Sequence, residues 1–192
     1  MRRFLTLGVL AVVASLVFAA SASAQSWAPT DPGTSYSGGV VTLDNTGQPD
    51  GTSYENPNLG VPVENGDTIT FEWRTADDSC GGGVPRVFIQ GGAYNTHDGN
   101  LDQCDEPADG DGWRTWTATV SGITDGTAGH TGIVNDNPSN PTVLQVRNLT
   151  IGGTAVNLAP APANKEECKN GGWKNGPYKN QGQCVSSFAK SK

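Results

Sequence analysis

The chain has 192 residues, of which 26 are Gly and 12 are Pro, and hydrophobic side chains make up 35% of it. That length suits one domain with a small appendage, and the Gly and Pro content favours turns over long helices. A formal net charge of -7 excludes a chain-wide grip on nucleic acid, which needs Lys and Arg to displace phosphate counterions.

Residues 1–24 have the order of a secretory signal. Arg2 and Arg3 form a charged start, Phe4 to Ala20 an apolar stretch, and Ala22-Ser23-Ala24 a small-residue cleavage site before Gln25. The apolar stretch is near the lower limit for spanning a bilayer, so the Ala-x-Ala site favours cleavage over anchoring. No second hydrophobic segment follows, and no Cys stands there to carry a lipid. A secreted protein with no membrane span after cleavage is expected. All four cysteines, Cys80, Cys104, Cys168 and Cys184, lie beyond the signal. An even number in an oxidising compartment predicts two disulfides. Three pairings are open, of which Cys80 with Cys104 and Cys168 with Cys184 is the local one. No C-x-x-C pair with His is present, which argues against structural zinc.

Residues 25–156 read as one all-β domain, an antiparallel β-sandwich of jelly-roll type. The run Asp67 to Arg74 alternates, with Ile69, Phe71 and Trp73 on one face and Thr68, Thr70, Glu72 and Arg74 on the other. Trp113 to Val120 repeats the pattern, with Trp116, Ala118 and Val120 inward and Trp113, Thr115, Thr117 and Thr119 outward. Gly39 to Asp44, Val84 to Gln90 and Thr131 to Asn135 predict shorter strands. In Thr142 to Ile151 the phase changes between Val146 and Leu149, which predicts a bulge near Arg147 and Asn148. Gly-, Asn- and Asp-rich breaks separate these runs, and no stretch after the signal shows sustained helical periodicity.

Segment 157–164, Asn-Leu-Ala-Pro-Ala-Pro-Ala-Asn, predicts an extended linker, because Pro fixes φ and removes a donor. It divides the charge. Residues 25–164 hold four Arg and 17 acidic residues, net -13, whereas 165–192 hold six Lys and two Glu, net +4. An acidic body with a basic, disulfide-closed tail points to a surface or partner contact.

Candidate chemistry is concentrated in a few places. The loop from Asp98 to Asp111 packs six carboxylates into 14 residues, and oxygen-rich, Gly-spaced loops suit calcium. Asp105, Asp109 and Asp111 are the candidate ligands, although Val120 stands where an EF-hand needs its Glu. No other cofactor is expected. Cys80-Gly-Gly-Gly-Val-Pro-Arg86 predicts a structural corner that feeds Arg86 into a strand, where it is free to pair with an acidic neighbour. Trp113, Tyr94 and Tyr54 are expected as exposed rings able to stack on sugars, because an aromatic face attracts polarised C–H groups. In the tail, Trp173 and Tyr178 interleave with lysines and are candidates for contact with an anionic polymer such as cell-wall glycan.

Catalytic patterns are thin. Glu55, Glu64, Glu72 and Glu106 form no recognisable acid and base pair, and Glu72 is expected to face outward. No Gly-x-Ser-x-Gly elbow is present, and Ser79 lacks an evident base.

The tail resembles a C-terminal element of secreted actinobacterial and other bacterial proteins of unassigned function. The resemblance rests on Cys168-Lys-Asn-Gly-Gly-Trp173 and Lys179-Asn-Gln-Gly-Gln-Cys-Val-Ser186. Gly176-Pro177 departs from that element, where an aromatic residue follows. Segment 80–86 is similar to a corner in β-sandwich proteins of the same kind. The resemblance implies export and supplies no catalytic residue. These readings favour a secreted, non-catalytic binding module that contacts extracellular glycan or the cell envelope. The alternatives are a polysaccharide-active enzyme and an extracellular structural or adaptor protein.

Overall fold

A computed structural model describes residues 26–48, 50–76, 85–90, 92–95, 107–136, 141–176 and 178–189. Residues 1–24, Cys80, Cys104 and Asp105 lie outside the described residues. The strands are β1 (Ala28–Pro29), β2 (Thr34–Ser37), β3 (Val40–Asp44), β4 (Thr52–Asn56), β5 (Pro62–Val63), β6 (Thr68–Thr75) and β7 (Arg86–Ile89). They continue with β8 (Gly92–Asn95), β9 (Arg114–Thr119), β10 (Gly126–Thr127), β11 (Thr131–Asn135), β12 (Val143–Ile151) and β13 (Thr154–Ala155). One sheet has the order β1-β4-β11-β7-β8 and the other β2-β3-β12-β6-β9, with β13 added beside β12 and β5 and β10 paired separately. All these strand pairs are antiparallel. Within the two sheets, the orders 4-11-7-8 and 3-12-6-9 are those of a jelly roll, so the sandwich expected from alternation is the fold.

The long strands follow their sequence pattern because only one face of each sheet is covered. Ile69, Phe71 and Trp73 of β6 are buried, as are Trp116 and Ala118 of β9 and Leu144, Val146, Leu149 and Ile151 of β12. Phe71 and Trp116 stack across β6 and β9 with ring centroids 4.9 Å apart. The β12–β6 register shifts between Arg147 and Thr150, and Asn148 has φ 54°. The phase change is therefore a bulge whose αL position falls on Asn, a residue that tolerates it. The Gly38-Gly39 pair, with φ of 58° and 88°, turns β2 into β3. Two-residue loops of this handedness match strand twist and need glycine.

Side-chain amides join the two sheets at one end. Asn135, fully buried at the end of β11, donates from Nδ2 to the carbonyls of Leu43 (3.0 Å) and Thr142 (2.9 Å). Asn45 accepts from the Thr142 amide at 2.7 Å. Arg86 pairs with Asp136 on the five-stranded sheet, which supplies the acidic neighbour expected for it.

Beyond the sandwich the chain departs from the linker expectation. Leu158, Ala159 and Pro162 are buried, and Trp27 forms a parallel bridge with Pro160. Segment 157–164 is extended, but it is docked on the body, because its apolar side chains find partners at the open edge of the sandwich. The tail then forms two short helices, α1 (Lys165–Lys169) and α2 (Gln181–Ser187), with a 3-10 turn at Gly172–Asn175 between them. The Cys168–Cys184 disulfide joins them and both cysteines are fully buried. Among the described residues, no helix is long and apolar enough to cross a membrane.

Asn135→Ala removes both of these donor bonds from a fully buried position. Urea unfolding is expected to show a loss of about 2 kcal/mol at an unchanged m value, the cost of an unpaired buried carbonyl plus the lost contacts.

Candidate functional site

The site grows from three aromatic rings at the open edge of the sandwich. Tyr36 lies on β2 opposite Val41 and faces inward, but β2 is an edge strand, so its ring stays half-exposed. Behind it lies Tyr54 of β4, nearly parallel at 6° with centroids 6.5 Å apart. Behind Tyr54 lies Trp27, at 12° and 5.5 Å. Tyr54 is fully buried and its hydroxyl donates to the Leu158 carbonyl at 2.9 Å. Burial pushes the Tyr54 phenol well above its ordinary value, with the Tyr36 phenol adding to the effect. It therefore stays a neutral donor.

Two grooves open beside Tyr36. One, of about 420 Å³, runs along Gly39, Asn148, Thr150 and Asn157. The other, of about 460 Å³, runs between Pro160 and the tail, where Glu167, Asn170, Lys174 and Asn175 form the wall. Asn157 donates from Nδ2 to Asn175 Oδ1 at 3.0 Å, clamping the tail to the body at the junction of the two. The cleft thus offers one aromatic face held by a stack, several planar amides and a lysine, a mixture suited to a ligand with both apolar and hydroxyl-bearing surfaces.

The tail keeps its shape by a device used twice. Asn164 caps α1, accepting from the Glu167 amide at 3.0 Å, and Glu167 Oε2 accepts from the Ala163 amide at 2.7 Å. Asn180 caps α2 in the same way, accepting from the Gln183 amide at 2.9 Å, while Gln183 Oε1 accepts from the Lys179 amide at 2.7 Å. Both have the Asn-x-x-Glu/Gln spacing of a capping box, with the return bond falling on the amide one residue before the cap. Cys168 and Cys184 each follow their cap by four residues, so the disulfide joins equivalent positions of the two helices.

The rings expected as exposed platforms are placed differently. Tyr54 is the middle ring of the stack and is sealed by its neighbours on both sides. Trp113 does leave β9 on the outer side of the six-stranded sheet, yet it is only 5% exposed. The Arg147 and Arg74 guanidinium carbons lie 4.0 Å and 4.5 Å from its ring centroid. The two cations occupy the face a sugar would need. Each is itself held, Arg147 by Glu72 at 2.5 Å and Arg74 by Gln145 Oε1 at 2.7 Å and the Asp111 carbonyl at 2.9 Å. Glu72 also accepts from Asn148 Nδ2 at 3.0 Å, so its carboxylate is committed to this cluster. Tyr94 lies on β8 opposite Val87. In the tail, Trp173 is half-buried with Lys174 Nζ 5.8 Å from its ring centroid. Tyr178 is half-buried over Gly176, where a Cβ would meet its ring at 2.8 Å. Phe88 lies over Gly132 in the same manner, with His130 edge-on at 4.9 Å and bonded to Glu55 at 2.8 Å.

Of the calcium candidates, Asp109 and Asp111 are described. Asp109 Oδ1 accepts from the amides of Asp111 (2.8 Å) and Trp113 (2.9 Å), closing a turn in front of the tryptophan. Among the described residues no group of three His, Cys, Asp or Glu side chains converges as a metal site.

Sequence reasoning missed Tyr36, Asn157 and Lys174 as members of one site. The Gly-Gly hairpin after Tyr36 was the available signal for β2, and the two Asn-x-x-Glu/Gln spacings were the signal for the helices.

Hydrogen bonds from the Trp113 and Asp111 amides hold the Asp109 carboxyl below its ordinary value, with Arg147 and Arg74 adding to this. A depressed folded-state pKa stabilises the turn above the ordinary carboxylate value and loses that effect as the pH falls through the folded value. NMR of the Trp113 indole is expected to report loosening of the 109–113 turn on acidification below about pH 3.8. Asp109→Asn, whose amide oxygen still accepts both bonds, is expected to remove this acid step.

No family model matches the chain, and no curated protein matches it. Among solved structures it is similar to a mutant of a carbohydrate binding module family 29, with a TM-score of 0.41 and 12% identity over 67% of this chain and 82% of that one. It is also similar to a CBM29-2 mutant complexed with cellulohexaose, with a TM-score of 0.41 and 14% identity over the same shares of the two chains.

Proposed function

We propose that this chain is an exported, non-catalytic module that binds extracellular glycan, free or in the cell envelope, along the cleft at Tyr36. The observation that carries the reading is the half-exposed Tyr36 ring, backed by Tyr54 and Trp27 and open to grooves on both sides. A pyranose ring has an apolar face of polarised C–H groups and a rim of hydroxyls. The ring face of tyrosine attracts the first. The amides of Asn148, Asn157, Asn170 and Asn175 line the cleft for the second, and the N–H groups and lone pairs left over from the bonds to Glu72, to the Ala159 amide and between Asn157 and Asn175 serve it. A ring already stacked on Tyr54, which is itself backed by Trp27, loses little freedom when a ligand covers it, so binding is not taxed by ordering the platform. The order of residues 1–24 supports this reading, since export would bring such a module to polysaccharides.

Sedimentation with insoluble polysaccharides and purified cell walls, followed by affinity electrophoresis in soluble glycans, tests this. Tyr36→Ala is expected to weaken binding at least tenfold, about 1.4 kcal/mol, while Trp113→Phe leaves it unchanged. Retention of full affinity by Tyr36→Ala would sink the proposal. Capture of a protein in place of a glycan by crosslinking in culture supernatant would favour the adaptor reading.

A further inference from the structure

We infer that the glycan taken by the Tyr36 cleft is an acidic one, a chain of sugars bearing anionic substituents, and that Lys174 is the residue that reads the charge. This rests on the cleft being the glycan site.

Lys174 lines the groove beside Tyr36 and also a smaller cavity behind it, next to Trp27. It is exposed, and its ammonium has no hydrogen bond or ion pair among the described residues, only the Trp173 ring at 5.8 Å. Lys169, by contrast, is neutralised by Glu166 at 2.6 Å. Among the described residues the one acid on the groove wall is Glu167, which keeps its charge while both its oxygens accept hydrogen bonds. Oε1 accepts from Asn164 Nδ2 and Oε2 from the Ala163 amide, each at 2.7 Å. The groove on the other side of Tyr36 is lined by no charged residue among those described. An uncommitted positive charge therefore stands beside the sugar platform, brought there by a tail of net +4 on a body of net -13. The body alone repels an acidic polymer. Within a screening length of about 10 Å the lysine offsets that repulsion at one place, which makes binding local and specific. An ammonium is a compact point charge and does not distinguish planar carboxylates from tetrahedral sulfate or phosphate. Anionic substitution is thus the property selected.

The test uses the chain from residue 25 onward with the Cys168–Cys184 disulfide intact, and two matched polymer pairs, polygalacturonate against its methyl ester and dextran sulfate against dextran. The charged member of at least one pair is expected to bind about three- to fivefold more tightly at low salt, the size of an exposed ion pair. The pair that responds identifies the substituent. Half-molar salt is expected to erase the difference. Lys174→Gln is expected to erase it too while leaving affinity for the neutral member, and Lys174→Arg to retain it. Equal affinity within both pairs, or a preference that survives Lys174→Gln, overturns the inference. If affinities are equal but Tyr36→Ala still abolishes them, the charge assignment fails and the glycan site stands. If charged polymers bind and Tyr36→Ala does not weaken them, the contact is ionic and both readings fail.

Discussion

The stack of Trp27, Tyr54 and Tyr36 is the constraint on which the rest of the molecule depends. Its three rings come from the start of the chain, from one sheet and from the other, so their contact closes the open edge between β1, β4 and β2. Burying the middle ring creates a polar obligation, because a phenol removed from water without a partner costs several kcal/mol. The Leu158 carbonyl meets that obligation. In doing so it dictates the path of the chain after β13, which lays Leu158, Ala159 and Pro162 against the edge and delivers the tail to its position beside Tyr36. A single hydrogen bond thus converts core packing into the wall of a cleft.

The six-stranded sheet solves a different problem on its outer side. Its exposed face carries Arg74, Glu72, Gln145 and Arg147 in adjacent cross-strand positions, where opposite charges and amides pair well. Trp113 enters this array from the start of β9 and is covered by the two guanidinium groups. The cluster anchors the 109–113 turn through the Asp109 carboxylate and the Arg74 contact to the Asp111 carbonyl. Its charges are spent on one another, which is why an aromatic ring on an outward position is not available there, whereas Tyr36 on an inward position is.

How much of this was legible in the sequence depended on length and on which partners decide a residue's surroundings. β6, β9 and β12 are long enough for period-two alternation to show, and even the bulge at Arg147 and Asn148 followed from a phase change. β2 and β4 contain only four and five residues, with Ser, Thr and Asn on both faces, so alternation gave no direction for Tyr36 or Tyr54. Helices of five and seven residues are too short for a 3.6-residue period to repeat, and only their capping spacings marked them. Trp113 was assigned to the correct face but not the correct exposure, because Arg74 and Arg147 reach it across the sheet from 39 positions earlier and 34 positions later in the chain, a relation no local pattern contains. The Ala-Pro segment reads as a spacer by composition, and its docking depends on Tyr54, a residue 104 positions earlier.

The tail shows why its two properties, a disulfide and a binding surface, belong together. It has almost no apolar interior of its own beyond the two cysteines, since only Cys168 and Cys184 are buried within its helices. Such a piece cannot hold a shape by burial. Closing a loop of 16 positions removes about 3 kcal/mol of unfolded-state freedom on the chain-entropy account, and side-chain caps fix both helix starts. With the caps satisfied by Asn164, Glu167, Asn180 and Gln183, the side chains of Lys174 and Asn175 in the 3-10 turn make no hydrogen bond within the tail among the described residues. Asn175 is drawn to Asn157 of the body, and Lys174 is left facing the groove. A segment stabilised by a covalent bond and by its own termini has side chains to spare for contact, whereas one stabilised by burial would have consumed them.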